Sequence, residues 1–121
     1  MAVNQSRQAR AARKRKRRMT LADNDLTADQ WAAIQSAWGM CAYCGETGVD
    51  LQKDCVLPLS RGGRYTLENI APACRSCNAS KSNEEVTHWL RRKQLDERAF
   101  LIRFYEVTNA LVAADSTEET E

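Results

Sequence analysis

What the chain has little of sets the first limits. Among its 121 residues there are one histidine, His88, and two prolines, Pro58 and Pro72. Two prolines and five glycines are too few for a low-complexity or collagen-like chain. No apolar run approaches the roughly 18 residues that a membrane span requires. The basic N-terminus is not followed by the apolar stretch of a secretory signal, so an intracellular, cytoplasmic chain is expected, with no membrane partner. No internal repeat is visible, and the length suits one domain.

Charge is present, but unevenly. The formal net charge of +2 conceals eight Lys/Arg and no acid in residues 1–18, and four acids between Asp115 and Glu121. The run Arg13 to Arg18 repels itself and has no apolar face to bury. The chain therefore divides into a basic, disordered arm at 1–20, a folded body at 21–112 and an acidic, disordered tail at 113–121. An arm of this kind is an electrostatic footprint for nucleic acid, which gains from counterion release; the plain alternative is a solvated tail.

The body reads as α+β. Thr27-Ala28-Asp29-Gln30 is a capping box, Trp31, Ile34 and Trp38 recur at helical spacing, and Gly39 ends the pattern, which predicts a helix over 28–38. Leu51 to Leu59 alternates loosely and predicts a strand, Ser60 to Arg64 is a loop by its glycines, and Asn69 to Ala73 is a short second strand. Ser82-Asn83-Glu84-Glu85 is a capping signal for a helix over 83–94, although a helix could already begin near Cys77. Asp96 caps a last helix at about 97–112.

Five cysteines in a reducing compartment point to a metal or a reactive thiol before disulfides. Cys41-Ala-Tyr-Cys44 and Cys74-Arg-Ser-Cys77 are two C-x-x-C pairs with 29 residues between them. Each turn brings its two sulfurs to one side, and two turns give a tetrahedral thiolate site that suits structural Zn²⁺ at about 2.3 Å per bond. The rivals are two disulfides or a redox pair, and the latter needs a βαβ pattern that is missing.

The segment Asp54-Cys55-Val-Leu-Pro-Leu-Ser-Arg-Gly-Gly63, and the later stretch from Glu68-Asn69 through Cys74-Arg-Ser-Cys77-Asn78 to Lys81, resemble the HNH endonuclease family over about Cys41 to Trp89. The resemblance implies a ββα-metal motif, clamped here by the four-cysteine zinc site and flanked by helices. It implies a catalytic Mg²⁺ or Mn²⁺ held by Asp54 and Asn78, with Asn69 bracing the hairpin. It puts Cys55 where the family carries its general-base histidine. Neutral imidazole suits that task near pH 7, whereas a thiol with a pKa of about 8.5 does not. A chain with little or no cleavage, Cys55 as a weaker base, and another base such as His88 are all open; a lone histidine is more often structural.

Arg61, Arg64, Arg75 and Lys81 surround the segment and are expected to contact phosphates of double-stranded DNA without reading sequence. Two functions follow: a metal-dependent DNA endonuclease of the HNH type, impaired at Cys55, or a catalytically inactive DNA-binding or packaging accessory protein that keeps the fold. Small HNH proteins occur in phage genomes near packaging genes, so the resemblance also implies a terminase or packaging partner.

Overall fold

The computed structural model describes residues 26–119, with side chains through Asp115. The basic arm at 1–20 lies outside the described residues. Among those described, no helix is long and apolar enough to cross a membrane.

Helix α1 runs Ala28–Trp38. Its start is the expected capping box: Gln30 N donates to Thr27 Oγ1 at 3.0 Å, and Thr27 N donates to Gln30 Oε1 at 2.9 Å. Two otherwise unpaired N–H groups are satisfied this way. Gly39 stops the helix at φ 68°, in the left-handed region that favours glycine.

Strand β1, Leu51–Cys55, pairs antiparallel with β2, Ile70–Cys74, in a two-stranded sheet with Leu51 opposite Cys74 and Cys55 opposite Ile70. A two-stranded ribbon is marginal alone in water. Here every residue of β2 is buried, and the Pro72 carbonyl accepts from Ala42 N at 2.8 Å, which docks the first C-x-x-C turn on the sheet. The first strand stops earlier than the alternation predicts. After Cys55 the chain turns through Pro58 into one 3-10 turn at Leu59–Arg61. Gly62 follows at φ 96°, and a Cβ on Gly63 would lie 1.6 Å from the Leu57 carbonyl oxygen, so only glycine fits where the loop folds back on itself.

The helix predicted over 83–94 is present as Val86–Arg92, and a separate short helix precedes it. Helix α2, Arg75–Lys81, begins directly from β2, and α3 spans Val86–Arg92. Ser82 at φ 49° breaks the chain between them. The cap of α3 is Glu85, which accepts from Thr87 N and His88 N, rather than Ser82 or Asn83. Helix α4 runs Glu97–Glu119, with Ala99 N donating to Asp96 Oδ1 at 3.0 Å. It continues past the expected end near 112, so the boundary drawn at 113 for a disordered acidic tail falls inside a helix.

The core sits where these pieces meet. Ile34 and Trp38 of α1, Ile70, Ala71 and Ala73 of β2, Trp89 and Leu90 of α3 and Phe100 of α4 are buried together. Tyr43 packs edge-on to Trp89 at 5.2 Å and against Phe100 at 5.0 Å. Arg103 of α4 donates to the carbonyls of Ala37 and Trp38, at 3.2 and 2.8 Å, and lies 5.3 Å from the Trp38 ring, tying α4 to the end of α1. The core is small, and a cross-link beside it has much to stabilise.

Candidate nuclease site

The four cysteines converge. Their sulfurs all lie within 4.8 Å of one another, and Cys44 and Cys74 are 3.9 Å apart. Sulfurs at about 2.3 Å from one tetrahedral centre are about 3.8 Å from each other, so this cluster matches the spacing of one ion. All five cysteines are free, which removes the disulfide reading. Backbone geometry orients the cluster: Cys44 N faces Cys41 Sγ at 3.5 Å and Cys77 N faces Cys74 Sγ at 3.4 Å. Burial pushes the Cys77 thiol up, reinforced by charge on Cys41. Burial also opposes charge on Cys41, but backbone hydrogen bonds hold that thiol below its ordinary value. Four thiolates so close together need a cation to ionise together.

The two turns then position a second region. The first carries Tyr43. The second begins α2, which carries Asn78 and Lys81 past the end of β1. Asp54, Cys55 and Asn78 line one cavity of about 400 Å³, together with Lys53, Tyr65, Ser82 and Asn83. Asp54 is 4% exposed and is gripped at Oδ2 by two donors, the Tyr43 hydroxyl and Lys81 Nζ, the latter at 3.2 Å. Among the described residues nothing donates to Asp54 Oδ1. Asn78 donates through Nδ2 to Gln52 Oε1 at 2.7 Å, which leaves its own Oδ1 without a described donor. A carboxylate oxygen and an amide oxygen on one cavity, neither with a donor among the described residues, fit a hard divalent cation. Burial raises the Asp54 carboxyl above its ordinary value, opposed by the Tyr43 hydroxyl and by Lys81. Burial and the Asp54 charge hold the Tyr43 phenol well above its own, so it stays a donor.

Cys55 ends β1 at the cavity, with Sγ 3.9 Å from the Arg64 carbonyl. Burial pushes its thiol up to about 11; the Asp54 charge adds to this and Lys81 opposes it. His88 sits elsewhere: its ring is 71% exposed, with Nδ1 2.8 Å from Glu84 Oε2, and it does not line the cavity. Asn69 accepts from Leu57 N at 2.8 Å and donates to the carbonyls of Leu57 and Arg64 at 3.0 and 2.9 Å, which holds both ends of the glycine loop.

Of the four cations expected to meet DNA, Arg61, Arg64 and Arg75 are exposed. Lys81 is not. It has zero exposure and binds Asp54 and, at 3.1 Å, the Cys55 carbonyl, so its expected role as a phosphate contact is corrected to an interior one. Tyr43 was not picked out by sequence reasoning, because inside C-x-x-C it reads as a spacer. Lys53 and Tyr65 were missed too; Lys53 follows Gln52 on a strand whose side chains alternate, and only the fold shows that it borders the cavity.

Residues 41–84 match the family model described as HNH endonuclease. The chain is also similar to the CRISPR-associated endonuclease Cas9 of Corynebacterium diphtheriae, with 26% identity over 96 residues, 75% of this chain. It spans 9% of the length of that protein. No solved structure matches. The family match opens at Cys41 and closes at Glu84, so the stretch similar to HNH endonucleases encloses both halves of the sulfur cluster, the loop tied by Asn69 and the cavity residues Asp54, Cys55 and Asn78.

Proposed function

We propose that this domain hydrolyses phosphodiester bonds in double-stranded DNA with one Mg²⁺ or Mn²⁺ ion, at a rate held down by Cys55. The observation that carries the reading is one cavity lined by Asp54, Asn78 and Cys55, the residue at the general-base position, in which Asp54 Oδ1 and Asn78 Oδ1 have no described donors. When bound there, the ion stabilises charge on the phosphate and the leaving oxygen. Asp54 and Asn78 hold it. Asn69 keeps the loop closed beside it. Arg61, Arg64 and Arg75 steer phosphates from the exposed surface. Cys55 is asked to take a proton from water, and a thiol does that poorly near pH 7.

The sulfur cluster is read as a structural Zn²⁺ site, since four thiolates close the coordination sphere. The arm at 1–20 adds sequence-independent DNA affinity to a body that begins near residue 21. A terminase or other phage packaging partner and a cytoplasmic, DNA-associated location complete this reading.

A second reading is favoured by the grip on Asp54: an accessory protein that binds DNA and does not cut. Nicking of supercoiled plasmid in Mn²⁺ separates the two. Slow nicking that disappears in Asp54→Ala supports the enzyme. Plasmid binding without nicking, at every metal tried, contradicts it and supports the accessory protein.

A further inference from the structure

One residue links the sulfur cluster to a carboxylate that lines the cavity. Tyr43 stands between Cys41 and Cys44 and is 6% exposed. Its ring is held between Trp89 and Phe100. Its hydroxyl donates to Asp54 Oδ2, the oxygen that also receives Lys81 Nζ. One donor thus comes from the first C-x-x-C turn and the other from the helix that the second turn begins. Both grip the same oxygen, so the carboxylate cannot rotate without breaking them. Oδ1 is left as the carboxylate oxygen with no described donor, on a residue that lines the cavity.

We propose that Tyr43 is a positioning residue for the divalent-ion site: its hydroxyl fixes the Asp54 carboxylate with Oδ1 presented to the ion, and couples the geometry of the sulfur cluster to that of the cavity. The inference rests on the nuclease reading above. Tyr43 touches neither substrate nor ion. Hydrogen bonds that orient a metal-ligating carboxylate usually matter about 10–100-fold in metal affinity. The aromatic packing supplies the rigidity that such orientation needs, because the ring cannot move without disturbing Trp89 and Phe100.

The test is Mn²⁺ binding to the zinc-loaded full chain, followed by the electron paramagnetic resonance signal of free Mn²⁺. Tyr43→Phe keeps the ring and removes one oxygen. It is expected to weaken Mn²⁺ binding about 10–100-fold while the chain keeps its zinc and its cooperative melt. Asp54→Asn is measured beside it and is expected to lose the site. If Asp54→Asn loses Mn²⁺ but Tyr43→Phe binds it as tightly as the parent, or more tightly, the positioning role is overturned and the nuclease reading stands. If Asp54→Asn binds Mn²⁺ like the parent, the ion site itself is wrong and the inference falls with it. A Tyr43→Phe chain that loses zinc or its melt also overturns the proposal, because the hydroxyl would then hold the fold rather than the aim of the carboxylate.

Discussion

The sulfur cluster and the cavity share helix α2, which carries Cys77 and Asn78, yet they are specified differently. The cluster depends on four identical side chains, each pair brought together by its own two-residue spacer. The cavity depends on unlike groups brought from β1, the loop after it and α2. One region tolerates only cysteine and is decided locally. The other is decided by which partner each side chain finds across the fold. The contrast teaches that a short motif fixes where ligands are, while the surrounding packing fixes what they are free to do. Asp54 is the case in point: the family resemblance implies a ligand there, and the fold engages one of its two oxygens with Tyr43 and Lys81.

The largest expected effect breaks the cluster. Cys74→Ser, or removal of zinc by a strong chelator, is expected to abolish cooperative unfolding by circular dichroism. Structural zinc contributes about 10–16 kcal/mol in small domains, more than most such domains hold in total. A chain that melts normally without metal would make the cluster dispensable and the contrast empty.

The next acts on the buried pair that underlies the cavity. Lys81→Met removes a cation of zero exposure and leaves Asp54 buried without it. A loss of about 3–5 kcal/mol is expected in urea unfolding of the zinc-loaded chain. A loss below about 1 kcal/mol would mean that the pair behaves like a surface salt bridge.

The smallest concerns neither region and calibrates both. Glu85 caps α3, and its hydrogen bonds to the Thr87 hydroxyl and to the Thr87 and His88 N–H groups depress its carboxyl to about 2 from an ordinary 4.5. A depressed acid stabilises the fold above its unfolded value and loses that contribution as pH falls toward the folded one. Glu85→Gln is therefore expected to cost about 1 kcal/mol at neutral pH. The gap between the two melting curves should close as the pH is lowered from 4.5 toward 2. A gap independent of pH would show that the charge on Glu85 does not matter to the cap.

Legibility in the sequence follows the same divide. Helix α1 was readable to the residue, because Thr27, Gln30 and Gly39 act within one turn of its ends. The hairpin, the glycine loop and the sulfur cluster were readable for similar reasons. The capping signal at Ser82-Asn83-Glu84-Glu85 put the start of α3 within a few residues, but the start of α2 at Arg75 was not legible, since seven residues are too few to show a periodicity. Nor was the interior place of Lys81: a lysine after Cys77-Asn78 reads as a surface cation until Asp54 and the Cys55 carbonyl, both more than 25 residues away in sequence, are seen beside it. The length of α4 was missed because its last turns carry acids and small residues that resemble a tail.

One measurement reaches Cys55 directly. Cys55→His and the parent chain are compared in the same plasmid-nicking assay with Mg²⁺ and Mn²⁺. Supplying an imidazole where a thiol stands is expected to raise the nicking rate about 10²–10⁴-fold, the usual worth of a general base. A zinc-loaded, folded Cys55→His chain that nicks no faster than the parent would contradict the assignment of this cavity as a nuclease site short of its base.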